Sequence, residues 1–111
     1  MNTLEVQSES KLKFISLMKL TQKGLDELTD SARRREVSEQ RVAAVGGRSI
    51  AFYAVLGGYD FVQIFEMPNV ASMLQYVMTA RRDGHVEPLL LPAFDTTEWS
   101  QILETFKESK E

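Results

Sequence analysis

A chain of 111 residues has room for one domain that buries about two thirds of its unfolded surface, and not for two. It contains no cysteine, which excludes disulfides, thiolate nucleophiles and zinc–cysteine sites and fits a reducing, cytoplasmic setting. The formal charge of -3, with both signs interspersed, offers no field for phosphates, and no apolar run reaches the ~20 residues needed to cross a bilayer. Neither nucleic acid nor a membrane is an expected partner, and no export signal is expected.

Residues 1–11 mix polar and charged side chains without periodicity and read as a flexible tail ahead of a single domain over 12–111. From Leu12 the period becomes two. Leu12, Phe14, Met18 and Leu20 fall on one side, with Ile15 and Leu17 on the other, giving a strand with apolar residues on both faces. Thr21 to Gly24 reads as a connection. The stripe that follows, Leu25, Leu28, Ala32, Val42 and Ala43, has helical spacing but contains Arg35 and Glu39. The helix is therefore expected to start late, near Asp30 or Ser31, both competent N-caps, and to stop at Gly46 and Gly47. Arg33, Arg34 and Arg35, followed by Glu36 and Glu39, read as a solvated helix face.

Ser49 to Leu56 and Tyr59 to Glu66 are rich in β-branched and aromatic residues, and only Gly57 and Gly58 separate them. Such a pattern predicts a tight hairpin in which Leu56 faces Tyr59, Ala54 faces Phe61 and Phe52 faces Gln63. One side of the ribbon then carries Ile50, Phe52, Ala54, Leu56, Tyr59, Phe61 and Phe65, and the other Ala51, Tyr53, Val55, Val62 and Ile64. Both sides are apolar, whereas a solvated antiparallel sheet is polar on one of them.

Pro68 and Asn69 open a second helix, with Val70, Met73, Leu74, Val77 and Met78 at helical spacing and Gly84 at its end. The strand from His85 to Phe94 carries Pro88 and Pro92 at the same parity, which assigns it to a sheet edge. Asp95 and Glu98 form a capping-box pattern for a last helix whose Trp99, Ile102, Leu103 and Phe106 make an apolar stripe. That stripe either closes one end of a barrel or embraces a partner subunit. The order βαββαβ plus a C-terminal helix predicts an α+β, ferredoxin-like antiparallel sheet with both main helices on one face. The uncovered face is most simply buried against a second copy, as a homodimeric α+β barrel.

The run "LGGYDFVQIFEMP" from Leu56 to Pro68 resembles the signature of the GYD-domain family, with Gly58, Tyr59 and Asp60 as the triplet. "LTQKGLDEL", "SARRREV" and "GHVEPLLLPAFDTTEW" extend the likeness from about Leu12 to Trp99. The resemblance implies a dimeric α+β barrel without a settled biochemical role. The same turn-and-strand pattern is similar to that in ligand-sensing domains of leucine-responsive-type regulators and in cofactorless barrel enzymes such as muconolactone isomerase, antibiotic-biosynthesis monooxygenases and polyketide cyclases.

His85, the single histidine, is either a general base or an exposed turn residue. Tyr53, Tyr59 and Gln63 are candidates to orient a ligand, although the hairpin register puts the two tyrosines on opposite faces. Arg35 awaits either Glu39 or a ligand carboxylate, and Ser16 either bonds back to the main chain or lines a pocket. Gly57, Gly58 and Asp60 read as structural, since an aspartate beside a turn accepts backbone N–H groups. One histidine without a carboxylate cluster supplies no metal site, and no glycine loop precedes a helix, so no cofactor is expected. The leading expectation is a homodimeric binding protein for a small, largely apolar molecule with a polar or acidic head. The alternatives are a cofactor-independent enzyme using His85 and a purely structural or protein-interaction subunit.

Overall fold

The computed structural model describes residues 11–109. Its elements are β1 (Leu12–Leu20), a short α1 (Gln22–Asp26), a 3-10 turn (Leu28–Asp30), α2 (Ser31–Ala44), β2 (Arg48–Ala54), β3 (Phe61–Met67), α3 (Val70–Asp83), β4 (Val86–Ala93) and α4 (Thr96–Ser109). The tail expected over residues 1–11 lies, apart from Lys11, outside the described residues. The four strands form one antiparallel sheet in the order β2-β3-β1-β4. This is the α+β, ferredoxin-like arrangement, with α4 added.

The ends of the elements follow from local chemistry. Thr21 accepts a hydrogen bond from the Gly24 N–H at 3.1 Å, so the expected connection contains a capped helical turn, and α2 starts late at Ser31. Asn69 accepts from the Ser72 N–H at 2.8 Å to start α3, and Gly84 ends it at φ 78°. At α4 the capping box is reciprocal: Asp95 N–H donates to Glu98 Oε1 and Glu98 N–H to Asp95 Oδ1, each at 2.8 Å. The β4 edge also matches its prolines. Pro88 pairs with Met18, whose carbonyl is turned to the other side to accept the Asp60 N–H, so this pair needs no proline donor.

The hairpin pairs Ala54 with Phe61 and Phe52 with Gln63 in the expected register. Its strands stop short of the glycines, and the Val55 N–H to Asp60 carbonyl bond of 2.9 Å closes the loop. Of the two turn glycines, Gly57 alone takes a positive φ, 118°. A bulge between Ser49 and Ala51 corrects one expectation: Ile50 has no cross-strand partner, and Ser49 takes its place opposite Phe65.

One face of the sheet packs against α2 and α3. Phe14, Phe65 and Met67 from the strands meet Val42 of α2 and Met73, Tyr76 and Val77 of α3, with the Phe65 and Tyr76 rings edge to face at 5.5 Å. The expected stripes are only partly buried. Val42 alone is buried on α2, and Val70, Leu74 and Met78 of α3 are exposed, because Tyr76 takes the inward position instead.

The other face carries two apolar rows: Tyr53, Val62, Leu17 and Leu89, then Ala51, Ile64, Ile15 and Leu91. Tyr53 is 58% exposed, and Leu89 and Leu91 are exposed beside it. Charged residues stand at both ends of these rows, Arg48, Glu66 and Lys13 at one and Lys19 and Glu87 at the other. No described helix covers this face, and Phe94 ahead of α4 and Trp99, Ile102, Leu103 and Phe106 along it are also exposed.

Candidate functional site

The core fills only one end of the space between helices and sheet. Towards the other end two cross-strand rows form a floor: Phe52, Gln63, Ser16 and Leu90, then Ala54, Phe61, Met18 and Pro88. Above this floor α2 presents Ser31, Ala32, Arg34, Arg35 and Ser38 rather than large apolar side chains, and α3 presents Ala80. Small residues and long polar side chains leave the gap open beyond Tyr76 and Val77, which also line it. A cavity of about 350 Å³ remains, within the size range of small-molecule sites.

Two polar residues sit in the middle of its floor. Ser16 and Gln63 face each other across β1 and β3 and are 3% and 1% exposed. Gln63 Nε2 donates to Ser49 Oγ at 3.4 Å, and the Tyr76 hydroxyl donates to Gln63 Oε1 at 3.4 Å. Tyr76 also shares a short hydrogen bond with Ser38 of α2, so a polar chain runs from helix to helix to sheet. Burial pushes the Tyr76 phenol above its usual value, opposed by the Ser38 hydrogen bond and the nearby Arg41 charge.

Among the described residues, three arginines and one carboxylate border the cavity. Arg41 of α2 pairs with Asp83 of α3, Arg34 donates to the Glu27 carbonyl at 2.8 Å, and Arg35 pairs with Glu39 at 2.7 Å. The Arg35 guanidinium also lies 6.0 Å from the centre of the Phe52 ring. The expectation of a solvated face thus fits Arg33, which is exposed and paired with Asp30, while Arg34 and Arg35 turn towards the cavity. Among the described residues no group of His, Asp and Glu is placed to hold a metal ion.

The structure brings Ser16, Arg35, Gln63 and His85 to this one cavity. His85 stands at the start of β4, its Nε2 2.8 Å from Glu27 Oε1 and its carbonyl accepting the Thr21 N–H at 3.1 Å. Tyr53 points to the open face, and Tyr59 sits half-buried in the turn without lining the cavity. Asp60 ties the hairpin to β1: its Oδ2 accepts the Leu20 N–H at 2.8 Å and its own N–H reaches the Met18 carbonyl at 2.9 Å. Gly57 and Gly58 are exposed at the tip, and among the described residues no atom lies within 4 Å of the place a Cβ would occupy. Tyr76, Ser38 and Arg41 are site residues missing from the sequence reading. The signal for Tyr76 was its place three residues after Met73 and next to Val77, which put a hydroxyl on the buried side of α3.

The GYD domain family matches residues 14–103, which takes in the turn, the sheet except the first two residues of β1, both covering helices and every described residue of the cavity. This chain belongs to the GYD domain family. A relative from Thermus thermophilus, named glutamine synthetase and cystathionine beta-lyase binding protein, is 35% identical over 81 residues, covering 72% of this chain and 85% of the relative. The aligned share of this GYD protein leaves little of the relative unmatched.

The raised Tyr76 phenol has a stability consequence. Below pH ~10 both folded and unfolded forms hold the proton; above it the unfolded tyrosine ionises first, so stability falls as pH rises from there through the folded value. Urea unfolding from pH 8 to 11 is expected to show this alkaline loss, and Tyr76→Phe is expected to reduce it. At neutral pH the same variant is expected to cost about 0.5–1.5 kcal/mol for the lost hydrogen bonds.

Proposed function

We propose that this GYD-domain protein is a homodimeric binding protein that holds a small, largely apolar molecule with an acidic head in the cavity beneath α2. The observation that carries the reading is the pairing of an apolar floor with a rim of Arg34, Arg35 and Arg41 against the single carboxylate of Asp83. A guanidinium is the side chain best suited to hold a carboxylate, and Arg35, stacked near Phe52, is placed at the junction of rim and floor. A second copy laid on the open sheet face would remove Leu17, Ile64, Leu89 and their neighbours from water. The name of the Thermus relative supports a binding role in which protein partners, enzymes among them, also take part.

The second reading is a cofactor-independent enzyme of the isomerase, cyclase or monooxygenase type with His85 as general base. It is favoured by the single histidine's place on the cavity wall, with Glu27 orienting its ring.

Calorimetric titration with octanoate and with 1-octanol is expected to show the acid binding about tenfold or more tightly, and Arg35→Ala is expected to erase that difference. Equal binding of acid and alcohol would remove the acidic-head reading. The enzyme reading requires that conversion of an isomerisable acid by the wild-type protein be lost in His85→Ala; unchanged conversion would sink it.

A further inference from the structure

We infer that the ligand carries a second polar group, a hydroxyl or a keto oxygen, at the end remote from its acid head, seated on Ser16 and Gln63. This rests on the reading of the cavity as a site for a small acid. Every other described position of the central strands β1 and β3 on the helix side carries a large apolar side chain: Leu12, Phe14, Met18 and Leu20 on β1, and Phe61, Phe65 and Met67 on β3. Ser16 and Gln63 interrupt that surface side by side, at its centre. The Ser16 hydroxyl lines the cavity and makes no hydrogen bond among the described residues. The Gln63 amide is held by one donor bond and one acceptor bond, both at 3.4 Å, which leaves its second N–H and second lone pair unused. Among the described residues no side-chain N or O is both fully buried and without a partner, so the unused groups of Ser16 and Gln63 open onto the cavity, where a ligand oxygen can meet them.

The spacing between the two polar ends follows from the sheet. Phe52 and Ser16 occupy one cross-strand row with Gln63 between them. Two strand spacings place them roughly 10 Å apart. Arg35 stands 6.0 Å from the Phe52 ring, at the β2 end of that row, and Ser16 is on β1. The body of the ligand therefore lies along Phe52 and Phe61, whose rings are 5.3 Å apart. Its acid head meets the arginine and its far oxygen meets the serine and the amide. The chemical class is a medium-chain ω-hydroxy or ω-oxo carboxylic acid, or a phenolic acid of similar length.

In an otherwise apolar pocket a terminal hydroxyl weakens binding, because it must be stripped of water, so a gain in affinity is diagnostic. Hexanoate, octanoate and decanoate are titrated into the full chain beside their ω-hydroxy counterparts. The expected result is that one ω-hydroxy acid binds about tenfold tighter than its parent, and that the ratio of the two affinities, measured within each variant, falls to about one in Ser16→Ala and in Gln63→Leu. If the parent acids bind and the hydroxyl brings no gain, the second polar group is refuted, ordered water being the partner of Ser16 and Gln63, and the acid pocket stands. If no acid of either series binds, this inference and the acid-pocket reading fall together.

Discussion

β1 and β3 lie side by side in the middle of the sheet, and each carries apolar side chains on both faces. Phe14, Met18, Phe65 and Met67 look towards the helices, and Ile15, Leu17, Val62 and Ile64 look away from them. Two helices cover one face only. That imbalance shapes everything else: the described residues include no cover for the second face, and the exposed stripe of α4 adds to the unburied apolar surface. Apolar area left in water is unfavourable in proportion to its extent, so a contiguous patch across four strands is a strong drive towards association.

The covered face is itself divided. At one end Val42, Met73, Tyr76 and Val77 close on Phe14 and Phe65 and make a conventional core. At the other, α2 stands over Ser16 and Gln63 with arginines and serines, and the space stays open. The same helix thus serves stability through Val42 and the cavity through a polar face that runs from Ser31 to Arg41. Tyr76 joins the two regions, its ring in the core against Phe65 and its hydroxyl between Ser38 and Gln63.

Much of this was legible in the chain. The register of Phe52 with Gln63, the edge position of β4 and the reciprocal cap at Asp95 each follow from a rule that acts within a few residues: parity, the missing proline N–H, and side-chain reach. The misjudged features depend on tertiary geometry. The bulge that strands Ile50 leaves no mark on local alternation, since Ser49 and Ile50 are both compatible with a strand. The α2 stripe is half-empty because what lies beneath it is a cavity, which periodicity cannot distinguish from a packed neighbour. Of the proposed site, Ser16, Arg35 and Gln63 stood out as polar residues among apolar ones, and Tyr76 did not, because tyrosine is at home in a core. Tyr53 and Tyr59 carried the opposite signal, as ring-and-hydroxyl residues in strand-like runs whose true surroundings are the open face and the turn.

The central claim is that a sheet oily on both sides is finished by a second copy of itself. Analytical ultracentrifugation at micromolar concentration tests it directly. The account requires a species of twice the chain mass, converted to a folded monomer when Ile64 in the middle of the open face is replaced by lysine. A wild-type protein that sediments as a stable monomer across that range would contradict it.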